Sequence, residues 1–224
     1  GTLARCILGL CSSVKKKIRL VGDKSLSKRD FSRVIHPLSL FGVNINSKKG
    51  LLPLQLSGSE ILRPINYIET KGSAQIKTCI ILSAINTPGI TKIKAKKSRN
   101  HTELLLKYLN YPIKINKKRN FDFIEIRGLK QFRAFDYIVP GDISSASFFI
   151  VLTLLAKKSE MLIKNININP TRVGILKILT QMNADIKIIN KRIYKGENIG
   201  DIKIKSTEYF KPINCPENLN TSAI

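Results

Sequence analysis

The chain has 224 residues, of which 43% are hydrophobic and 24% are charged, so it can build a real core and is neither disordered nor collagen-like. Lysine and arginine number 39 against 15 acidic residues, which gives a formal net charge of +24. No membrane-spanning helix, which needs about 20 apolar residues, is predicted, because Ser147 and Thr153 interrupt the longest apolar stretch, Ala146–Ala156. The chain opens at Gly1 without a signal peptide, and we expect it to be a piece of a longer protein.

The chain contains an internal repeat. Gly1, Gly72 and Gly141 each open an apolar run of helical length, and they stand about 70 residues apart. Hydrophobic spacing then predicts a strand, an amphipathic helix and two further strands in each copy. In chain order the elements predicted after the opening helices are Lys17–Leu20, Ser32–Phe41, a strand from Val43 and Leu52–Leu56; Thr91–Lys94, Thr102–Leu109, a strand from Tyr111 and Phe121–Ile126; and Met161–Lys164, Thr171–Met182, a strand from Ala184 and Ile199–Ile204.

A repeat of this length predicts an α/β domain built from copies of one supersecondary unit, because solenoid repeats run only about 20–50 residues. The second helix of each copy is expected to end at Gly42, Asn110 or Asn183, residue types that suit the left-handed position after a helix. A turn at Pro140 indicates a crossing between domains near residues 139–141.

The positive charge has three interpretations. Nucleic-acid binding is the first. Compositional drift is favoured over it, because Lys, Ile and Asn are overused along the whole chain, and the basic runs Lys15–Lys17 and Lys117–Arg119 fall at turn-like positions without an aromatic platform for bases. A site for anionic small molecules is compatible with drift. We therefore expect no nucleic-acid partner.

The starts of the repeated helices are candidate anion sites. Gly1-Thr2, Gly72-Ser73-Ala74-Gln75 and Gly141-Asp142 place small and hydroxyl residues where free backbone N–H groups and the helix dipole attract negative charge. Ordinary N-capping is the alternative for each start, above all for Asp142. Three starts at the same repeat position favour sites that converge in space.

Arginines recur at the starts of the second helices. Arg29, Arg99 and Arg172 each precede or open one of these helices, and a guanidinium can hold a phosphate or carboxylate with two bonds. The alternative for each is a solvated charge. Gln75 carries a donor and an acceptor and could bridge two ligands.

Other classes of site have no support in the sequence. The chain has no P-loop, GxGxxG or HExxH motif, and no Ser–His–Asp arrangement. The four cysteines form no CxxC pair, and Cys6 and Cys79 are expected to be packing residues. His36 and His101 are the only histidines, so a histidine-rich metal site is not available.

Six ordered segments that cover almost the whole chain carry a family resemblance. They are GTLAR at Gly1–Arg5, GDKSLSKRDFSRVIHPL at Gly22–Leu38, GSAQIKT at Gly72–Thr78, SRNHTE at Ser98–Glu103, VPGDISSASFF at Val139–Phe149 and NPTRVGILKIL at Asn169–Leu179. The first four resemble the motifs N-A-G-T-x-x-R, G-D-x-S-L-x-x-R-P-M, S-A-Q-V-K-S and S-R-D-H-T-E. Together the six resemble the 5-enolpyruvylshikimate-3-phosphate synthase family, also called 3-phosphoshikimate 1-carboxyvinyltransferase.

The resemblance implies a fold and an activity. The fold is an inside-out α/β barrel of two domains, each made of three βαβαββ units and both incomplete here. Residues 1–137 would be most of one domain, with about two units, and residues 138–224 would begin the second, with about one. The activity is transfer of the enolpyruvyl group of phosphoenolpyruvate to the 5-hydroxyl of shikimate 3-phosphate, in the pathway to chorismate and the aromatic amino acids. Phosphate leaves from a tetrahedral intermediate, and no metal or organic cofactor is needed.

The resemblance also implies substrate contacts by seven residues: Gly1, Thr2, Arg29, Ser73, Ala74, Gln75 and Ser98. Gly1 would contact phosphoenolpyruvate through its backbone, and Arg29 would bind the anionic groups of that substrate. Ser73 and Gln75 would contact shikimate 3-phosphate, with Gln75 also near the enolpyruvyl group. Ala74 could contribute only backbone, and Ser98 matches a further phosphate contact.

The sequence departs from the family pattern at one site position and stops short of others. Asp30 stands where the family usually has proline, and its carboxylate would oppose an anion unless it points away. The family's catalytic Asp follows a segment that resembles residues 220–224, so no catalytic residue is expected within the chain. The full-length protein is expected to be a cytoplasmic monomer without nucleic-acid or membrane partners.

Two other functions stay open from the sequence. One is the related enolpyruvyl transferase that acts on UDP-N-acetylglucosamine, although none of the four cysteines lies in the Gly-rich loop which that enzyme uses. The other is a basic nucleic-acid-binding protein, which would bind DNA in a salt-sensitive manner.

Overall fold

The structure is a computed structural model that describes residues 1–215, Leu219, Ser222 and Ala223. The helices are α1 (Thr2–Leu10), α2 (Lys24–Ser27), α3 (Ser32–Leu40), α4 (Ala74–Ile85), α5 (His101–Tyr108), α6 (Ile143–Leu155) and α7 (Gly174–Gln181). The strands are β1 (Lys17–Leu20), β2 (Asn44–Ser47), β3 (Leu54–Ser57), β4 (Asn66–Glu69), β5 (Ile90–Lys96), β6 (Ile113–Lys117), β7 (Phe121–Arg127), β8 (Glu160–Asn167), β9 (Ile186–Tyr194) and β10 (Glu197–Lys205).

The chain divides into two compact units, Gly1–Arg133 and Ala134–Ile224. The division falls four residues before the boundary expected at 137/138. The reason is that Tyr137 already belongs to the second unit, where its ring packs on Tyr194 with centroids 5.6 Å apart. The backbone N–H of Ile138 also donates to the hydroxyl of Tyr194, at 3.1 Å.

The first unit contains two sheets. One is antiparallel, with the order β1-β3-β2, and the other has the order β4-β5-β7-β6. In the second sheet β4 and β5 are parallel, whereas β5, β7 and β6 pair antiparallel. Two parallel strands need a crossover connection, and α4 supplies it. The second copy of the repeat is therefore a complete βαβαββ unit.

The second unit carries the third copy. Its sheet is antiparallel with the order β8-β10-β9, and α6 and α7 accompany it. Gly141 forms a single parallel bridge with Ile166 just before α6 begins. This bridge occupies the place that β4 holds before α4, so the third copy retains a trace of the first strand of the unit.

The predicted ends of the second helices are confirmed. Gly42, Asn110 and Asn183 have φ values of +98°, +53° and +70°, in the left-handed region that a helix C-terminus uses. Glycine and asparagine tolerate this region better than other residues do. The second helices of the three copies thus end in the same way.

The start predicted for the third copy's second helix is wrong by three residues. The prediction was Thr171–Met182, but α7 begins at Gly174. The side chain of Asn169 accepts hydrogen bonds from the backbone N–H and the hydroxyl of Thr171, at 2.9 and 2.7 Å. This local turn competes with the first helical turn and delays the helix.

The core of the first unit forms around α1 and α4, whose starts lie together. Leu8 and Cys79 are buried, and Cys79 is a packing residue as predicted. Burial raises the pKa of the Cys79 thiol, so the thiol stays protonated. Gly9 lets the helices approach closely, because a Cβ at this position would lie 2.2 Å from the carbonyl oxygen of Cys79.

We expect Gly9→Ala to lower the free energy of unfolding of the chain by about 2 kcal/mol, because the added methyl must push α1 away from α4. Urea unfolding followed by circular dichroism measures this. Leu3→Ala is the matched control, since it changes α1 at a side chain that is 75% exposed. Equal unfolding midpoints for Gly9→Ala and the parent would contradict the close packing of these helices.

Within the described residues, none of the helices is both long and apolar enough to span a membrane.

Candidate functional site

The starts of α1 and α4 are joined by side chains that the sequence predicted as substrate contacts. The amide nitrogen of Gln75 donates to Thr2 Oγ1, and the amide oxygen of Gln75 accepts from an Nη of Arg5, both at 2.8 Å. The orientation of the Gln75 amide is therefore fixed by a donor on one side and an acceptor on the other. Each end of this amide still has one hydrogen-bonding position to offer a ligand.

Arg5 extends the same network to the turn between α2 and α3. Its second Nη donates to the backbone carbonyl of Asp30 at 2.9 Å. The guanidinium carbon also lies 5.0 Å from the centroid of the Phe31 ring, within the range of a cation–π contact. One side chain thus ties together α1, α4 and the turn that carries Arg29.

Arg29 lies directly against Gly1. A Cβ built on Gly1 would approach within 2.7 Å of an Nη of Arg29 and within 3.6 Å of an Nη of Arg5. Gly1 is the N-cap of α1 and supplies no side-chain cap, so the first N–H groups of the helix have no side-chain acceptor from this position. The absence of a side chain at Gly1 leaves this helix start open beside a guanidinium, an arrangement suited to an anion.

These residues border a cavity of about 300 Å³. Its lining consists of Arg5, Arg29, Asp30, Arg33, Ser73, Gln75 and Ile76. Within the part of the chain that the structure describes, neither Arg29 nor Arg33 makes a side-chain hydrogen bond or an ion pair. Two guanidinium groups are therefore available to a ligand that carries negative charge.

Volume alone does not select this cavity. Other cavities of similar or greater volume lie on the strands, among them one of about 530 Å³ bordered by Lys114, Phe123 and Glu125. The cavity beside Gly1 brings together three arginines, the start of α4 and the Gln75 amide, whereas the lining of the cavity of about 530 Å³ contains no arginine and no helix start. The chemistry of the cavity beside Gly1 therefore makes it the candidate anion site.

The carboxylate of Asp30 is occupied by the helix that follows it. Asp30 Oδ1 accepts from the backbone N–H of Ser32 at 2.7 Å, at the start of α3. Hydrogen bonds from Ser32 hold the pKa of Asp30 below its usual range, so the carboxylate is ionised at neutral pH. The carboxylate that replaces the family's proline thus accepts from the first N–H of α3, and Asp30 also contributes to the lining.

The remaining predicted contacts are placed differently. Ser73 lines the cavity and also caps α4, since its hydroxyl accepts from the N–H of Ile76 at 3.4 Å. Ala74 is the first residue of α4. Ser98 is not part of the lining, but its hydroxyl is buried and has no hydrogen-bond partner within the described residues.

Two arginines of the lining, Arg5 and Arg33, were not predicted as substrate contacts. Arg5 stands one helical turn after Gly1, and this i, i+4 spacing within GTLAR puts both on one face of α1. Arg33 is the second residue of α3 and follows Arg29 by four positions across the turn before this helix. Helical spacing from Gly1 could have identified Arg5, whereas Arg29 lies outside the helix and gave no such signal for Arg33.

The third helix start shows capping chemistry instead. Asp142 Oδ1 accepts from the N–H of Ser144 at 3.3 Å and from an Nη of Arg172 at 3.1 Å. The same Nη donates to the hydroxyl of Ser144 at 2.5 Å. Arg172 therefore fastens α7's entry turn to the start of α6, and the capping interpretation holds for Asp142.

We expect Arg172→Ala to lower the free energy of unfolding by about 1 kcal/mol at pH 7. Burial alone would raise the pKa of Asp142, but the hydrogen bond and charge of Arg172 outweigh it and lower this pKa. The stabilisation is thus complete above the unfolded pKa of about 4 and is lost as the pH falls through the folded value. Urea unfolding should show the full difference at pH 7 and a smaller one at pH 2, where the bond to the Ser144 hydroxyl remains, with Lys177→Ala as the control on α7. A difference of equal size at both pH values would contradict the role of Asp142.

The described residues contain no group of three or more His, Cys, Asp or Glu side chains placed to hold a metal ion. The segment 220–224, which resembles the residues before the family's catalytic Asp, lies largely outside the described residues.

Comparison with known proteins identifies relatives across the whole chain. The sequence model of a family described as EPSP synthase (3-phosphoshikimate 1-carboxyvinyltransferase) matches residues 1–217. Proteins named 3-phosphoshikimate 1-carboxyvinyltransferase are 42% identical in Ruthia magnifica subsp. Calyptogena magnifica and 38% identical in Legionella pneumophila (strain Corby), each over 225 residues. Each alignment covers 100% of this chain and 51% of the length of the relative. The chain therefore spans about half the length of the curated relatives it matches.

Solved structures agree with the sequence relatives. EPSP synthase from Acinetobacter baumannii is similar with a TM-score of 0.84 and 35% identity, over 99% of this chain and 50% of that one. The enolpyruvyl transferase NikO from Streptomyces tendae has a TM-score of 0.61 at 15% identity, over 92% of this chain and 47% of that one, which shows likeness of fold alone. The predicted α/β, enolpyruvyl transferase-like fold is confirmed. Neither of the two alternative functions is favoured by these relatives.

Proposed function

Because the chain belongs to the EPSP synthase (3-phosphoshikimate 1-carboxyvinyltransferase) family, we propose that it is part of an enzyme that transfers the enolpyruvyl group of phosphoenolpyruvate to the 5-hydroxyl of shikimate 3-phosphate and releases phosphate. Both substrates are small polyanions. The observation that carries the proposal is the arginine-lined cavity where α1 and α4 begin together. Its charge matches the substrates of this reaction.

Phosphoenolpyruvate is assigned to the side of the cavity next to Gly1 and Arg29. The open start of α1 offers N–H groups, and the guanidinium of Arg29 offers a planar fork that fits a phosphate or carboxylate. Charge-assisted bonds of this kind hold the substrate and also stabilise charge that develops as phosphate departs. The proton transfers of the reaction are assigned to groups in the remaining half of the complete protein.

Shikimate 3-phosphate is assigned to the start of α4. Ser73 and the backbone at Ala74 lie at the helix N-terminus, where the dipole favours a phosphate. The unpartnered hydroxyl of Ser98 is a further donor. Gln75, fixed by Arg5 and Thr2, stands between the two substrate positions and can contact both. This placement would bring the acceptor hydroxyl and the enolpyruvyl group together.

The test uses the complete protein, in which this chain is joined to the remaining half that its relatives contain. Incubation with both substrates should release phosphate at a rate that saturates with each. The 224-residue chain alone is the negative control, and UDP-N-acetylglucosamine replaces shikimate 3-phosphate in a second assay. Turnover only with UDP-N-acetylglucosamine, or no turnover at all, would overturn the proposal. A monomeric state and a cytoplasmic location remain predictions for the same complete protein.

A further inference from the structure

A buried ion pair joins the first turns of α4 and α5. Lys77 Nζ lies 2.7 Å from Glu103 Oε1, and the side chains are 0% and 3% exposed. Next to the pair, the hydroxyls of Thr78 and Thr102 are hydrogen-bonded at 2.8 Å. These four residues, the α4–α5 clamp, lie side by side in sequence on both helices. None of them was assigned a part in the proposed reaction.

The pair leaves little freedom to either helix. Glu103 Oε2 is buried and has no hydrogen-bond partner within the described residues, and Lys77 Nζ has none besides the contact with Glu103 Oε1. A shift of α5 along α4 would therefore leave two buried charges without any partner. Removing an ion pair from water is costly, and apolar side chains of similar size often stabilise a core as well or better. What the pair supplies is one defined register between the two helices.

The clamp residues follow two groups of candidate substrate contacts closely in the sequence. Ser73 and Gln75 precede Lys77 within one turn of α4, and Ser98 precedes α5. The turn between β4 and α4 is also held in place, because the carboxylate of Glu69 accepts from the N–H groups of Lys71 and Gly72 at 2.9 and 2.8 Å. The register of α5 against α4 thus sets the separation between Ser98 and the start of α4.

We propose that the α4–α5 clamp is a positioning device that holds the starts of α4 and α5 in register for one phosphorylated substrate. The inference rests on the proposed function, which places shikimate 3-phosphate at these two helix starts. Phosphoenolpyruvate is assigned to Gly1 and Arg29, which the clamp does not contact. Gln75 on α4 is assigned to both substrates, whereas Ser98 is assigned to shikimate 3-phosphate alone, so loss of the clamp is expected to act more strongly on shikimate 3-phosphate than on phosphoenolpyruvate.

The test replaces both charges at once, in the complete enzyme. Lys77→Met/Glu103→Met keeps two unbranched side chains of similar length and leaves no bare charge, so the protein should fold with an unfolding midpoint close to the parent's. The KM for shikimate 3-phosphate should rise about tenfold, because small misplacements of binding groups are costly. The KM for phosphoenolpyruvate and the kcat should stay within about twofold. Lys92→Met/Glu125→Met removes an exposed pair at 3.6 Å and is the matched control.

A second variant and a second readout keep the outcome decisive. Thr78→Val/Thr102→Val breaks the neighbouring hydrogen bond without touching a charge and should raise the same KM by a smaller factor. Hydrogen exchange on the double Met variant should show faster exchange at residues 97–103 than in the control, whether or not the enzyme turns over. Equal KM values in variant and parent, or equal exchange at this segment, would overturn the clamp. A parent without turnover would overturn the proposed function instead, and the exchange result would still decide on the clamp.

Discussion

Arg29→Ala should raise the KM for phosphoenolpyruvate in the complete enzyme by roughly 10–100-fold, because charge-assisted hydrogen bonds contribute more than neutral ones do. Arg29 makes no hydrogen bond or ion pair within the described part of the chain, so its removal leaves no protein group without a partner. The unfolding midpoint should therefore change little. Loss of binding without loss of stability is the signature of a ligand contact.

The neighbouring residue provides the matched control for this prediction. Lys28→Ala removes a charge of the same sign one position away, outside the cavity lining. Steady-state kinetics on both variants separate a local contact from a general effect of positive charge, which salt would screen. Equal changes in KM for Arg29→Ala and Lys28→Ala would remove Arg29 from the site.

Many helix and strand positions were predictable from the sequence, because hydrophobic spacing and helix-ending residues recur in each copy of the repeat. Hydrophobic spacing located β1 at its observed bounds, Lys17–Leu20, and glycine or asparagine marked the ends of α3 and α5. The same local rules failed at Thr171, where a side chain competes with the helix, and at β4. That strand has four residues, and it is held mainly by its partner β5, which lies beyond any local window.

Several residues of the candidate site were predictable from the sequence, but the hydrogen bonds between them were not. Gly1, Arg29, Ser73 and Gln75 were identified from helix starts and motif resemblance, and they gather at one cavity and its rim. Nothing in the sequence indicates that Gln75 is held by Arg5 and Thr2, because these residues are about seventy positions apart. Side-chain contacts across that distance depend on how α1 packs on α4, which only the folded structure fixes.

The buried pair is a further feature that local reasoning could not supply. Lys77 lies in the apolar run that opens at Gly72 and Glu103 lies on an amphipathic helix, and the sequence pattern did not indicate that both are buried. Charged residues are rarely buried unless they are paired, so burial and pairing had to be discovered together. Their positions next to Ser73 and Ser98 acquire a meaning only once α4 and α5 are seen side by side.

Arg5→Ala should have an effect at least as large as that of Arg29→Ala, although Arg5 is a positioning residue. The change removes the donor to the Gln75 amide and the donor to the Asp30 carbonyl, so both the amide and the turn that carries Arg29 lose their anchor. We expect kcat/KM to fall roughly 100-fold, because misplaced binding groups impair both the positioning and the reaction of the substrates. Arg19→Ala on β1 is the control, since Arg19 is exposed and contributes nothing to the cavity.

A double-mutant cycle shows whether Arg5 acts through Gln75. If the guanidinium works by holding this amide, Arg5→Ala costs much less in an enzyme that already carries Gln75→Ala than in the parent, because the group it would hold is gone. The part of the effect that survives reports on the contact with the Asp30 carbonyl. Arg5→Lys should recover little activity, since an ammonium cannot donate from two fixed nitrogens to Gln75 and Asp30 at once. Strictly additive costs for Arg5→Ala and Gln75→Ala would mean that the two residues serve the substrates independently.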